Sequence, residues 1–149
     1  MIITFCGHAD FVSTKEYERR FLAALKDKIG DGSADLYLGG YGAFDRFAYT
    51  CCKKYQKVNP KVSLVFVTPY ITAAYQKKCL EEQKKQYDAI LYPPIEDKPP
   101  KYALVYRNRY MAEKADLMIV YVNRTWGGAY QMYKCAKQKG KPIFNLADL

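Results

Sequence analysis

Six short, almost continuously apolar segments recur along the 149-residue chain, and they constrain its fold more than any other feature. Each is about as long as a β-strand, and the stretches between them carry apolar residues at helical spacing. Apolar runs that do not alternate with polar residues are typical of parallel strands buried on both faces. Strands that alternate with helices predict an α/β layer sandwich with a mainly parallel central sheet. The six segments are residues 2–6, 34–38, 62–67, 89–92, 117–122 and 142–146.

The proline-rich segment 93–100 is predicted to be a loop because proline disrupts helices and central strands. One predicted helix precedes the short strand before this loop, and another follows the loop. The first helix runs from about Thr72 to Tyr87, and the second covers residues 102–115. The apolar spacing in the second helix predicts one inward face, formed by Leu104, Val105, Met111 and Ala112.

Length and hydropathy predict a single domain over residues 1–149. Half of the residues are hydrophobic, which is enough to bury a core. No apolar run approaches the roughly 20 residues that a membrane span needs. The first apolar run has no basic region before it and ends at once in Gly7 and His8, so it is predicted to be a strand and not a signal peptide. We therefore expect a cytoplasmic protein without a membrane partner.

The cysteines and the single histidine argue against a metal site. The five cysteines contain no pair separated by two residues, and only one histidine is present. Zinc frameworks need four such ligands at short characteristic spacings. We therefore predict reduced structural cysteines, as in a cytoplasmic protein, and neither a metal nor a cofactor.

The net charge of +9 leaves nucleic-acid binding open. However, the lysines are spread along the predicted helices, and no zinc finger or RGG motif is present. We favour a solvated lysine surface, whose charge would still attract small anionic ligands.

A glycine-rich turn follows the second predicted strand and precedes a helix. Gly39, Gly40 and Gly42 form this turn, and Asp45 lies in the first turn of the helix. A strand, a glycine turn and a helix start form the unit with which Rossmann-like folds present backbone N–H groups to a phosphate. The simpler interpretation is a tight turn without a ligand. For Asp45, the alternatives are an acceptor for a ribose hydroxyl and a carboxylate that stabilises the helix dipole.

A second pair of glycines, Gly127 and Gly128, opens the helix after the fifth strand. Arg107, Asn108 and Arg109 lie on the helix before that strand. Arginine forks bind phosphate or carboxylate oxygens, and a glycine-opened helix start offers further donors. Surface arginines and an ordinary turn are the alternative, and we favour the binding site.

Right-handed crossovers place every turn that follows a strand at the same edge of a parallel sheet, where ligands of such folds bind. Three turns therefore meet there, one of which contains Gly7 and His8. His8 is interpreted as structural or as a hydrogen-bonding residue in preference to a catalytic base. Trp126 and Tyr41 are each candidates for stacking on a base or for packing of the loop.

Five motifs, in order along nearly the whole chain, resemble the SLOG superfamily. This is the Rossmann-like group that includes the lonely-guy phosphoribohydrolases and the DNA-processing-protein-A fold, and the sequence is most similar to its small bacterial and phage branch. The motifs are Gly7-His8, Gly39 to Ala48 with Asp45, Pro69-Tyr70, Arg107-Asn108 with Met111 and Ala115-Asp116, and Gly127-Gly128 with Gly140-Lys141-Pro142.

The resemblance implies a single SLOG-like nucleotide-binding domain, with a pocket for a nucleotide-derived molecule such as an ADP-ribose-like ligand. It also makes a homo-oligomer plausible. The residues that it places in the pocket are Gly7, Gly39, Gly40, Asp45, Arg107, Asn108, Gly127 and Gly128. With the residues argued above, His8, Gly42 and Trp126 complete the predicted ligand-binding set.

The sequence departs from the lonely-guy enzymes at the residues of catalysis. Lys134 stands at the position of their glutamate, and Ala129 replaces a threonine. Cleavage of an N-glycosidic bond calls for a carboxylate, and Asp45 is the only candidate in either glycine turn. We therefore predict a protein that senses or sequesters its ligand. The alternatives are an N-glycosidase or phosphoribohydrolase that uses Asp45 and Arg107 on nucleoside monophosphates, and a nucleic-acid-binding protein.

Overall fold

A computed structural model describes residues 1–69 and 73–148 and contains six strands and five α-helices within those ranges. The predicted helix start at Thr72 and the Tyr70 of the third motif lie outside the described residues. The strands are β1 (Ile2–Gly7), β2 (Ala34–Leu38), β3 (Val62–Val67), β4 (Ala89–Leu91), β5 (Leu117–Tyr121) and β6 (Ile143–Asn145). The helices are α1 (Lys15–Ile29), α2 (Ala43–Val58), α3 (Ala73–Gln86), α4 (Ala103–Lys114) and α5 (Gly128–Gln138), with a 3₁₀ turn over Pro100–Tyr102.

The six strands form one parallel sheet in the order β4-β3-β2-β1-β5-β6, which confirms the predicted Rossmann-like α/β fold. On β1, Ile3 pairs with Leu36 of β2 on one side and with Leu117 of β5 on the other. Strands β2, β3 and β4 follow one another outward on one side of β1, and β5 and β6 lie on the opposite side of β1. A topological switch point therefore lies between the carboxyl ends of β1 and β5, the place where open α/β sheets bind ligands.

Alternating side chains of the strands fill two separate cores, one on each face of the sheet. On one face, Ile3 and Phe5 of β1 pack with Phe21 of α1 and Phe44 of α2. On the other face, Cys6 packs with residues of α4 and α5 that include Met111 and Met132. This alternation is the two-residue period of a strand, and it explains why all four residues of the segment 3–6 are buried.

The ends of α1 show how local sequence fixes an element. The Thr14 side chain accepts a hydrogen bond from the Tyr17 backbone N–H (3.1 Å), as an N-cap residue does. At the other end, Gly30 has φ +58, a backbone conformation that glycine adopts without strain. No helix among the described residues is both long enough and apolar enough to cross a membrane.

One face of α4 differs from its prediction. Met111 and Ala112 are buried as expected, but Val105 is 46% exposed, so its predicted inward position is wrong. The buried position belongs to Arg107 instead, which is only 2% exposed. The prediction from apolar spacing failed at this face because it assumes that charged residues lie outside the core. Here, hydrogen-bond acceptors at the strand ends stabilise the Arg107 guanidinium in the interior.

Candidate functional site

A cavity of about 350 Å³ opens at the switch point, between the end of β1, helix α4 and the first turn of α5. The charged or polar side chains in its wall include those of Asn108 and Arg124, and its apolar floor includes Met111 and Met132. Of the predicted ligand-binding residues, seven line this cavity: Gly7, His8, Asp45, Arg107, Asn108, Gly127 and Gly128.

The start of α5 forms the most open wall of the cavity. Gly127 is the N-cap with φ +95, and no side chain caps the helix. Nothing described lies within 4 Å of the position that a Cβ would take on Gly127 or Gly128. The first turn contains no acidic residue. The backbone N–H groups of this turn, which an α-helix leaves without internal acceptors, therefore border the cavity and carry the positive end of the helix dipole.

The Arg107 side chain ties two strands and a helix together beneath the cavity. Its Nη1 donates to the backbone oxygens of Gly39 (3.0 Å) and Val67 (2.9 Å), at the ends of β2 and β3. Its Nε donates to Asn108 Oδ1 (2.9 Å). A Cβ on Gly39 would lie 3.1 Å from the guanidinium carbon, which explains the glycine at that position. Arg107 thus holds the strand ends and orients the Asn108 amide, whose NH₂ group remains for other contacts.

Asp45 is the only carboxylate in the described wall of the cavity. Its Oδ2 accepts a hydrogen bond from the Tyr41 backbone N–H (2.8 Å). Burial raises the pKa of Asp45 to about 6, although this hydrogen bond and the charge of Arg107 oppose the shift. Burial, and then the charge of Asp45, raise the pKa of the Cys6 thiol. Asp45 therefore titrates close to neutral pH, whereas Cys6 stays protonated.

The raised pKa of Asp45 predicts a contribution to the free energy of unfolding that falls as the pH rises. Below the ordinary pKa of 3.8 the carboxyl is protonated in both the folded and the unfolded chain, and above about 6 it is charged in both. Between these values only the folded chain holds the proton, so the contribution of Asp45 to the free energy of unfolding falls as the pH rises through that window. The lowered pKa of His8 contributes in the opposite direction in both proteins. Asp45→Asn should remove the Asp45 contribution and be more stable than the original protein at about pH 7, measured by urea denaturation.

The exposed Asp97→Asn substitution is the matched control for that experiment, because it removes the same charge from a side chain that is 77% exposed. Because Asp97 makes only a surface ion pair with Lys98, its substitution should change the free energy of unfolding at about pH 7 by less than about 1 kcal/mol. If the Asp45→Asn profile has the same slope between about pH 4 and about pH 6 as the original protein, the carboxyl does not titrate in this window.

His8 is buried and acts as a hydrogen-bond acceptor. Its Nε2 accepts from the Asn123 backbone N–H (3.2 Å), which joins the ends of β1 and β5. Burial, and then the charge of Arg124, lower the pKa of His8. The imidazole is therefore neutral near pH 7, and its proton is on Nδ1 because Nε2 accepts. This arrangement agrees with the structural interpretation of the histidine.

Arg124 lines the cavity but was not among the predicted site residues. Its Nη1 contacts Asp10 Oδ2 (3.1 Å), and its guanidinium lies 3.9 Å from the centre of the Trp126 ring. Trp126 itself is 62% exposed and stands beside the cavity, outside its wall. One sequence feature could have indicated Arg124 as a site residue: it lies in the loop after β5, three residues before Gly127.

Three of the predicted glycines shape the turn before α2 and lie outside the cavity wall. Gly39 lies against Arg107, as described above. Gly40 (φ +66) would place a Cβ 2.8 Å from the Phe66 ring, and Gly42 (φ +93) would place one 3.0 Å from Ala9. Limited space and a positive φ both require glycine at these two positions. The turn contributes to the cavity through Tyr41 and Asp45, which line its wall.

Metal binding has no support among residues 1–69 and 73–148, where no group of three or more His, Cys, Asp or Glu side chains could hold an ion. The donors that the site does offer are backbone N–H groups, amides and arginine. These groups bind anions and hydroxyls.

Two solved structures share the fold of this chain at low sequence identity. One is DNA processing protein A from Helicobacter pylori, studied for its single-stranded DNA binding mode: the TM-score is 0.62 at 18% identity, over 97% of this chain and 64% of that one. The other is DNA processing protein A (DprA) from Streptococcus pneumoniae: the TM-score is 0.63 at 14% identity, over 96% of this chain and 49% of that one. This chain thus spans less than two thirds of either.

No family model and no curated protein sequence matches the chain. At these identities the two structures show a shared fold and leave activity open. They support the predicted resemblance at the level of the fold alone, since the DNA-processing-protein-A fold is part of that resemblance. The chain is therefore similar in fold to DNA processing protein A.

Proposed function

We propose that the cavity at the switch point binds the phosphate of a nucleotide-derived small molecule and senses or sequesters that molecule. The observation that carries the proposal is the uncapped, glycine-opened start of α5, which borders the cavity with free space at Gly127 and Gly128. Backbone donors and a helix dipole at such a position favour an anion. The surplus of positive charge, +9 overall, would speed the approach of that anion.

The rest of the wall suits the sugar of such a ligand. Asp45 can accept a hydrogen bond from a ribose hydroxyl, and the NH₂ group of Asn108 can donate one. Arg107 positions both: it holds Asn108 Oδ1 directly, and its charge favours the ionised form of Asp45. In this proposal Arg107 acts through its neighbours, because its side chain is buried and donates to backbone oxygens.

The proposal is tested by calorimetric titration with ribose 5-phosphate and with ribose. We expect ribose 5-phosphate to bind at least tenfold more tightly, because roughly 1.4 kcal/mol of phosphate interaction with the α5 donors suffices for that ratio. Native mass spectrometry of freshly purified protein would identify a co-purified nucleotide. If both sugars bind with equal affinity, or neither binds, the cavity is not a phosphate site.

Cleavage of the ligand is the enzymatic alternative, and it is favoured by one observation. A carboxyl that lines a cavity and has a pKa raised to about 6 can donate and accept a proton near neutral pH. Incubation with nucleoside monophosphates would show release of free base if Asp45 serves N-glycoside hydrolysis, and Asp45→Asn would abolish that release. Unchanged nucleotides after incubation support binding without cleavage.

Binding of single-stranded DNA is a further alternative to the small-molecule proposal. It is supported by the fold shared with DNA processing protein A and by the net charge of +9. Here the phosphate at α5 would belong to a polynucleotide. Affinity for an oligonucleotide should then fall steeply with salt, because counterions are released at several phosphates. The small-molecule proposal predicts one phosphate contact site and a correspondingly shallow salt dependence.

A further inference from the structure

We propose that an aromatic recess beside the cavity binds the nucleobase of the same ligand; this inference rests on the phosphate site proposed above. The recess has a volume of about 380 Å³ and lies between the β1–α1 loop, the start of α1 and the end of β5. It shares His8 and Arg124 with the cavity. A ligand with its phosphate at α5 can therefore extend past Arg124 into the recess.

Three aromatic rings wall the recess and suit a planar, partly apolar group. Phe11 lies 5.4 Å from Tyr17 and 4.9 Å from Tyr121, and the two tyrosine rings lie 5.3 Å apart, all between centroids. Rings at these separations pack against one another, so a base would contact their edges and the ring faces that this packing leaves free. Stacking on such rings typically raises the affinity for a base about tenfold.

The polar edge of the recess has hydrogen-bonding capacity left over. Tyr121 Oη accepts from Tyr17 Oη and from Asn123 Nδ2, each at 3.4 Å. These distances are long for hydrogen bonds, so a better partner could replace either. The hydroxyl hydrogens of Tyr17 and Tyr121 can rotate, so either hydroxyl can donate a hydrogen bond to a ligand or accept one from it. The Asn123 amide can donate hydrogen bonds, and the Tyr17 and Tyr121 hydroxyls can donate or accept them. This combination matches the edge of a nucleobase, which carries both donors and acceptors.

Arg124 stands between the two compartments with one donor unused. Its Nε is buried and has no hydrogen-bond partner in the described part of the chain. Asp10 and the Trp126 ring already hold the guanidinium in place. The Arg124 side chain lines both compartments and is 27% exposed, so an acceptor on the group that links phosphate and base can contact its guanidinium. Trp126 then serves to hold Arg124, and the base lies in the recess and not on the exposed indole.

The test compares ribose 5-phosphate with the four nucleoside 5′-monophosphates by calorimetry. At least one nucleotide should bind about tenfold more tightly than ribose 5-phosphate, the stacking contribution of a base. The double substitution Tyr121→Phe with Asn123→Ala should reduce this ratio threefold or more, because each hydrogen bond contributes about 1 kcal/mol. Its affinity for ribose 5-phosphate should change less than twofold. Tyr17→Phe, a milder change, should also lower the ratio and guards against misfolding of the double variant.

Two controls separate this inference from the phosphate site. Tyr133→Phe removes a hydroxyl from α5 outside both compartments and should leave every affinity unchanged. Trp126→Ala should weaken ribose 5-phosphate and nucleotides by the same factor, since both use Arg124. The recess is ruled out if phosphates bind but the base adds nothing, or if Trp126→Ala alone abolishes the nucleotide advantage. If no phosphate compound binds, the phosphate site fails and this inference fails with it.

Discussion

Replacing Arg107 with methionine should lower the free energy of unfolding by about 3 kcal/mol or more. Methionine fills a similar space, but it leaves the backbone oxygens of Gly39 and Val67 without the donor that they have in the folded protein. A buried carbonyl without a partner costs about 1–3 kcal/mol. The loss would appear as a lower urea midpoint, followed by circular dichroism, with little change in the slope of the transition.

Arg109→Met is the matched control, because it makes the same chemical change two residues further along α4. Arg109 is exposed, and its guanidinium contacts only the Tyr106 ring among the described contacts (5.6 Å). Removal of the Arg109 guanidinium should lower the free energy of unfolding by less than about 1 kcal/mol. Equal losses from both substitutions would contradict the role that the structure gives to Arg107.

Introducing aspartate at Gly128 should abolish phosphate binding without harming the fold. The new carboxylate would stand in the first turn of α5, where the space is open and where an acidic residue stabilises the helix by about 0.3–1 kcal/mol. The same charge would repel a bound phosphate at short range by several kcal/mol at an intermediate dielectric. We therefore expect the affinity for ribose 5-phosphate to fall by about 100-fold or more, with an unchanged or higher midpoint of urea denaturation.

The control for that experiment places the same negative charge at the other end of the same helix. Gln138 is the last residue of α5 and is exposed, so Gln138→Glu changes the net charge equally without approaching the cavity. Its affinity for ribose 5-phosphate should stay within about twofold of the original, since distant exposed charges are screened by salt. A large loss in both variants would mean that overall charge, and not the α5 start, controls binding.

The fold was accessible from the sequence because its signals are local. Six apolar segments predicted the strands, and the glycine turns marked where helices begin, as at Gly127 before α5. The switch point between β1 and β5 then follows from right-handed connections, and with it the edge at which the turns converge.

The details of the site were less accessible because they depend on side chains from distant segments. No periodicity shows that Arg107 points inward to meet Gly39, 68 positions away, or that Arg124 joins Asp10 across 114 positions. Such pairs form only when the strand ends are brought together. The prediction therefore included segments that line the cavity, whereas three of its turn glycines lie outside the cavity wall and Arg124, which lines it, was not among the predicted residues.

The position of β1 in the centre of the sheet has a consequence for synthesis of the protein. The ribosome releases β1 to β4 in the order in which they pair, so a partial sheet can assemble early. Until β5 emerges, roughly a few seconds later at ordinary elongation rates, β1 is an open edge with apolar side chains on both faces. Such an edge is a template for pairing with other chains. We therefore expect the nascent chain to be most prone to pairing with other chains in this interval.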